Sequence, residues 1–439
     1  MYSFDVFDTL ITRKTAVPGG IFAVMQSELG REEYEAIPES IRNNFYQLRI
    51  IAEKLARYSY QRNGIEDVTL EQIYAAFAVR GELSEAQQTQ LMLLESDIEY
   101  RECVPIEKNV NQVKKLLSDG ETVILISDMY LPKTQIYKML EKADPVLTEL
   151  QLYVSGDCKK RKGTGAIYEF AMEQSHFTGA ECIHTGDNEK KDIAAAEKAG
   201  FRTRLSWFPD LLLMEKKFLD QTPGNLWLNR VIGCSRRARL EIGEEMAQKD
   251  AVQIGTSAGG IILNSYMQWV IRSALARKIK RLYFIAPDGY VLKRIADILI
   301  RKTGMAIDTY YSNEISDAKQ EMGFSDDRFA LVTMSEKSCI RKCLPDLSQV
   351  QTFFFSVERL SVTDDCINFV FYPGRIRNRD ILEQFYEISE KSRDYLAGIE
   401  KYTELFCEDG YMIVQSEDIE QISKMLVYIT ETQDELYGK

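Results

Sequence analysis

At 439 residues the chain exceeds what one hydrophobic core usually holds, so two or three domains are expected, and its 45% apolar content is ample for globular packing. A formal charge of -12 argues against a nucleic-acid partner or an anionic membrane surface, since both demand clustered Lys and Arg. No stretch approaches the roughly 20 apolar residues of a membrane span, and the sequence does not open on a basic segment followed by an apolar block, so a cytoplasmic protein is expected.

The first ten residues form a short apolar run that ends in Asp5, Asp8 and Thr9, which reads as a buried strand with a polar tip. Helical patterning follows, opening at Ile21–Met25 and then running from Ile41 to Tyr60. There Arg49, Glu53 and Arg57 recur at i, i+4 spacing, read as a solvated salt-bridge ladder. Thr69 with Gln72 has the spacing of a capping box, and another helix is expected after Ser84, through Leu91 to Tyr100. Residues 12–103 therefore predict an all-helical insertion between two strands of a sheet.

Strand and helix alternate from there on. A helix from Ile106 to Leu117 leads through Asp119-Gly120 into the strand Thr122–Ser127, apolar on both faces as a central parallel strand should be. After Ser127-Asp128 come a helix to about Lys142, a strand over Leu152–Ser155, a turn over Lys162–Gly165 and a helix over Ala166–Glu173. The strand Cys182–Gly186 is closed by Asp187-Asn188 and leads to a helix from Asp192 to Ala199, with Gly200 as its C-cap and a last strand over Phe201–Leu205. This alternation predicts an α/β parallel sheet with helices on both faces. Four strand ends then carry polar groups: Asp5 with Asp8, Ser127, Lys162 after a turn, and Asp187 with Asp192. Parallel topology gathers such ends at one sheet edge. As a set they suit phosphoryl transfer: a carboxylate nucleophile, a hydroxyl and an ammonium for phosphate oxygens, and distal carboxylates for Mg²⁺.

Asp5-Val-Phe-Asp-Thr9, Ser127, Lys162 and Gly186-Asp-Asn188 with Asp192 resemble motifs one to four of the haloacid dehalogenase (HAD) superfamily, in order and spacing. The resemblance implies a HAD-like Rossmannoid core over 1–11 and 104–210, with 12–103 as a helical C1-type cap that closes over the site and selects the substrate. It implies Asp5 as the nucleophile forming an aspartyl-phosphate, Thr9 as support for its loop, and Ser127 and Lys162 as phosphoryl-binding groups. Mg²⁺ would be held by Asp5, the backbone carbonyl of Phe7, Asp187 and Asp192, and Asp128 and Asn188 would join Ser127 and Lys162 around the substrate. Phosphatases of the superfamily carry a second aspartate where this chain has Phe7. That residue protonates the leaving group, a service worth roughly 10²–10⁴ in rate. Asp8 is a candidate substitute, although strand spacing would point it away from Asp5. The expected activity is hydrolysis of a small phosphorylated metabolite. The alternatives are a phosphate-binding module without turnover and a dehalogenase-like hydrolase, whose members also lack the second aspartate but use no metal. Lys159, Lys160 and Arg161 read as solvated neighbours of one functional lysine or as a wider capture surface for a nucleotide or sugar nucleotide. His184 reads as a hydrogen-bonded core histidine.

Residues 211–439 predict a C-terminal α/β domain of unknown role, a possible surface for a protein partner or oligomer. A helical stretch from Leu211 to Gln248 precedes Gly255-Thr-Ser-Ala-Gly-Gly260, which lacks the Gly-Lys-Ser/Thr ending of a nucleotide loop and reads as close helix packing. A long amphipathic helix from Ile261 to Lys278, the strand Arg281–Ala286, a turn at Pro287-Asp288-Gly289, the helix Tyr290–Arg301 and the strand Asp308–Ser312 follow. The tail from about Arg379 is helical, with a short strand at Tyr411–Val414. This half resembles the C-terminal half of a bacterial group of two-domain HAD-like proteins associated with cell-surface polysaccharide genes. That group usually has an arginine where this chain has Pro287 and Ser-Arg where it has Ser312-Asn313. Asp288 reads as a turn former. Cysteines 103, 158, 182, 234, 339, 343, 366 and 407 contain no CxxC pair. Only Cys339 and Cys343 lie close, on an expected helix, and reduced, mostly buried thiols are expected.

Overall fold

The computed structural model describes residues 1–81, 83–286, 289–312, 329–334, 351–354, 366–368, 393–410 and 421–425. The chain divides into two units, Met1–Phe208 with Thr222–Gly233, and Pro209–Gln221 with Cys234–Lys439. Residues 222–233 thus group with the first unit, although they lie beyond the expected boundary at 210.

In the first unit, β1 (Tyr2–Phe4) is flanked by β4 (Val123–Ser127) and β6 (Ile183–Gly186), and β5 (Gln151–Val154) and β7 (Arg202–Leu205) complete the order β5-β4-β1-β6-β7. Every pairing is parallel, with Phe4 opposite both Leu125 and Thr185. All five residues of β4 are buried, as the apolar run on both faces requires. Between β1 and β4, the ribbon of β2 (Ile11–Arg13) and β3 (Cys103–Pro105) pairs antiparallel and joins the two ends of the insertion. The insertion is otherwise helical: α1 (Gly20–Glu28), α2 (Glu39–Gln61), α3 (Leu70–Gly81) and α4 (Glu85–Glu102). Thr69 and Gln72 exchange the reciprocal capping bonds at 3.0 and 3.4 Å, and Ser84 caps α4 in the same way with Gln87.

The ladder on α2 forms, with Glu53 bonded to Arg49 at 3.1 Å and to Arg57 at 2.9 Å, but only Glu53 and Arg57 are partly exposed. Arg49 is wholly buried and bidentate on Glu95 of α4 at 2.8 and 2.7 Å. Its guanidinium lies 4.5 Å from the Phe22 ring centroid and 4.9 Å from that of Tyr130. Arg57 reaches the buried Asp67. A counter-charge on a neighbouring helix turned a surface pattern into an interior one.

Helices α5 (Glu107–Ser118), α6 (Lys133–Ala143), the single turn α7 (Ser155–Cys158) and α8 (Ala166–Ser175) connect the remaining strands. The helix expected from Asp192 starts instead as a π-turn over Glu189–Ala194 and becomes α9 only at Ala195–Lys198. Gly200 closes it with φ +95°, as its C-cap role demands.

The helical stretch before the second sheet is broken at Pro223-Gly224 and Gly243 into α10 (Leu213–Gln221), α11 (Leu226–Ile242) and α12 (Glu244–Ala247). Then α13 (Asp250–Ile254) and a π-turn over Gly255–Gly259 lead into α14 (Gly260–Ala276). A side chain at Gly255 or Gly260 would collide with Tyr395 or Tyr402, so these glycines serve close helix packing. They pack against α16 (Arg393–Glu408), which follows α15 (Gly289–Thr303) in the order of the described helices. Helix α14 is buried throughout Gly260–Gln268 rather than amphipathic, because α15, α16 and the sheet enclose it. That sheet has the parallel order β12-β11-β10-β8-β9, built from β8 (Arg281–Ile285), β9 (Asp308–Ser312), β10 (Phe329–Thr333), β11 (Gln351–Phe354) and β12 (Cys366–Asn368). Among the described residues Cys103, Cys158, Cys182, Cys234 and Cys407 are free thiols. No described helix is long and apolar enough to cross a membrane. Pro287, Asp288, Asn313, Cys339, Cys343 and the expected strand at 411–414 lie outside the described residues.

Candidate functional site

Strand β1 ends at Phe4, and Asp5 follows with its amide donating to the Thr185 carbonyl at 2.8 Å, which fixes it between the ends of β4 and β6. The chain then turns. Asp8 adopts φ 59° and accepts a hydrogen bond from Thr12 Oγ1 at 2.7 Å, so strand spacing does not govern where it points. Lys162 is buried, and its ammonium donates to Asp5 Oδ1 and, at 2.6 Å, to Asp192 Oδ1. Asp192 also lies 3.3 Å from His184 Nε2 and accepts the Asn188 amide at 3.0 Å. Gly186 permits this approach, because a Cβ there would overlap the Asp192 carboxyl group. Asp187 takes a long contact of 3.5 Å from Thr9 Oγ1, and Thr9 is itself buried with its carbonyl held by Asn109 Nδ2 at 2.7 Å.

Ser127 is 1% exposed, and its hydroxyl has no hydrogen-bond partner among the described residues. A buried hydroxyl left open beside Asp5's strand suits a ligand oxygen. Asp128 and Asn188 serve the loops: Asp128 accepts the Lys162 amide at 2.9 Å, and Asn188 Oδ1 accepts the amides of Lys190 and Lys191 at 3.1 and 3.0 Å. Lys159 and Lys160 are half-buried rather than solvated; the first reaches Gln72 at 3.4 Å and the second lies over the Phe170 ring at 5.9 Å.

Sequence reasoning missed two supports. Glu66 accepts from the Arg161 amide at 2.9 Å and Thr164 Oγ1 at 2.7 Å, so the insertion grips the Lys162 loop. Arg13 lies 4.5 Å over the Phe7 ring and is bidentate on buried Glu99 at 2.7 and 2.9 Å. Neither pairing has a local signal, since their partners are far apart in sequence.

Electrostatically the site has too many acids. Burial drives Asp5 well above the usual carboxylate range, with Lys162 opposing and Asp192 and Asp187 adding to the rise. Burial, then Asp8 and Asp192, push Asp187 up to about 7. Burial also raises Asp192, but Lys162 and His184 outweigh it and hold Asp192 below the usual range. Burial lowers His184 to about 4, so its imidazole is neutral at pH 7. Carboxylate oxygens of Asp5, Asp187 and Asp192 lie within 4.8 Å of one another. Three convergent carboxylates facing a single ammonium fit a hard, oxygen-liganded divalent cation.

No family model matches the chain, and no curated protein matches it. Solved structures resemble it in part. L-2-haloacid dehalogenase from Xanthobacter autotrophicus is 14% identical with a TM-score of 0.35, over 50% of this chain and 82% of that one. The 2-haloacid dehalogenase from Pseudomonas syringae pv. Tomato DC3000 is 17% identical with a TM-score of 0.32, over 48% and 91%. The HAD-hydrolase YfnB from Bacillus subtilis, solved bound to magnesium, is 16% identical with a TM-score of 0.32, over 48% and 88%. Within this chain, the parallel sheet, the helical insertion after β1 and the motif residues at one sheet edge occur together. The first unit has an α/β fold around a five-stranded parallel sheet. This unit thus holds Asp5, Lys162, Asp187 and Asp192 together, with Ser127 at the neighbouring strand end.

Proposed function

We propose that the first unit is a HAD-like, Mg²⁺-dependent hydrolase of a small phosphate ester that works through an aspartyl-phosphate on Asp5. The observation carrying this reading is the convergence of Asp5, Asp187 and Asp192 around one ammonium. Asp5 Oδ attacks phosphorus, the ester P–O bond breaks, and the leaving oxygen takes a proton. Water then attacks the acyl phosphate, which releases inorganic phosphate and restores the Asp5 carboxylate. The Ser127 hydroxyl and the Lys162 ammonium receive the phosphoryl oxygens and offset their charge. Asp5, Asp187 and the Phe7 carbonyl would hold Mg²⁺, with Asp192 behind Lys162; the ion supplies charge neutralisation at the phosphoryl group. Phe7 cannot donate a proton, so the leaving group relies on Asp8 or on solvent, and turnover is slow. Phosphate release from phosphorylated sugars and nucleotides in the presence of Mg²⁺ tests the reading; release no greater than that of Asp5→Asn refutes it.

Phe7 beneath Arg13 favours a second reading, in which a phosphorylated ligand is bound without turnover and the second unit supplies partner binding. Ligand-dependent thermal stabilisation without product, lost in Lys162→Ala, supports it. Chloride release from a 2-haloacid without added metal would instead place the activity among the dehalogenases.

A further inference from the structure

A line of hydrogen bonds reaches Asp192 through the interior of the sheet. Ser3 on β1 and His184 on β6 are register partners, and both are fully buried. Ser3 Oγ lies 2.8 Å from His184 Nδ1, and His184 Nε2 lies 3.3 Å from Asp192 Oδ1. Cys182, also fully buried, donates its thiol to Ser3 Oγ at 3.5 Å. The direction of the line follows from chemistry. An ionised carboxylate only accepts, so Nε2 of His184 carries the hydrogen. Nδ1 of a neutral imidazole then accepts, the Ser3 hydroxyl donates to it, and the Ser3 oxygen is left to accept from Cys182. Tyr168 and Phe201 pack on the imidazole at 75° and 80°, which fixes its plane. Asp192 is therefore held on three sides, by Lys162 and His184 at Oδ1 and by the Asn188 amide at Oδ2.

We infer that His184 is a positioning residue, which Ser3 holds as the Nε2–H tautomer and which fixes the Asp192 carboxylate so that Oδ1 anchors the Lys162 ammonium against Asp5. The inference deepens the reading of Asp5 and Lys162 as the reactive pair. Asp192 thereby acts on the lysine, and a metal ion is left to Asp5 and Asp187.

The chain has only two histidines, and His176 is exposed while His184 is buried, so selective ¹⁵N-histidine labelling of the full chain gives two distinguishable rings. The expected result at pH 7 is one ring locked in the neutral Nε2–H form, with a resonance that shifts in Lys162→Met and in Asp192→Asn. An Nδ1–H tautomer at His184, or a resonance unmoved in both variants, overturns the inference. A second measurement uses inorganic phosphate with Mg²⁺ as the calorimetric probe. His184→Leu, which lacks a donor, weakens phosphate roughly tenfold, about the worth of one hydrogen bond to a charged group. His184→Gln, whose amide N–H replaces Nε2–H, stays near wild type. Equal losses in the two variants reveal a merely structural residue and overturn the inference. If wild type binds no phosphate, the phosphate-ester reading fails, and the tautomer result alone decides the role of His184.

Discussion

Arg49 and Lys162 are both buried cations of the first unit that bridge carboxylates, yet their surroundings differ in balance. Around Arg49 the charges close on themselves. Arg49 is paired with Glu95, Arg49 and Arg57 share Glu53, Arg13 is paired with Glu99, and Tyr74 gives its hydroxyl to Glu95 at 2.7 Å. Around Lys162 a single ammonium faces Asp5 and Asp192, with Asp187 and Asp8 adding negative charge nearby. A balanced cluster is satisfied from within and serves the packing of α2 on α4. An unbalanced one is completed from outside the chain, by a cation, an anion's counter-groups or a proton.

The largest effect expected from breaking this comparison falls on the balanced side. Arg49→Met leaves Glu95 buried and uncompensated, and removing one partner of a buried pair costs about 3–5 kcal/mol. Chemical denaturation should show that loss, and a change below about 1 kcal/mol would mean that the pair is solvated in solution. On the unbalanced side the loss is in chemistry. Lys162→Met removes a donor aimed at developing charge, which typically costs about 10²–10³ in kcat. A kcat within tenfold of wild type would remove Lys162 from the phosphoryl-binding role.

How much of this was legible depended on whether the deciding partner was near in sequence. Apolar runs followed by acids revealed β1, β4 and β6, and with them Asp5, Ser127 and Asp187 at one edge. The Thr69–Gln72 pair was readable because both members lie within one turn. Arg49 was misread because i, i+4 spacing says nothing about Glu95, 46 residues away. Glu66 and Arg13 were missed for the same reason, since their partners belong to other elements. The π-turn at Glu189–Ala194 was hidden because helical periodicity does not reveal a wide turn, and that turn places Asp192 so that it accepts the Asn188 amide. The helix from Ile261 was read as amphipathic, whereas in α14 even the polar Asn264 and Gln268 are buried.

The smallest expected effect sharpens the comparison most, because it reads the acid surplus directly. Burial and the neighbouring Asp8 and Asp192 raise Asp187 to about 7, above the value near 4 of an unfolded aspartate. Between those values the folded state binds more protons than the unfolded state, so stability falls as pH rises through that interval. His184, lowered to about 4, contributes the opposite trend up to about pH 6.5, so the effect is read against Asp187→Asn. Relative to that variant, the metal-free protein should lose a few degrees of Tm from about pH 5 to about pH 8, and Mg²⁺ at pH 8 should restore them by neutralising the carboxylates. Asp187→Asn should raise the metal-free Tm at pH 8 and abolish the Mg²⁺ increment, whereas Arg49→Met should keep that increment on a lower baseline. A Tm difference from Asp187→Asn that is flat across this range would show that Asp187 is ionised without penalty, and the contrast between the two clusters would then lose its electrostatic basis.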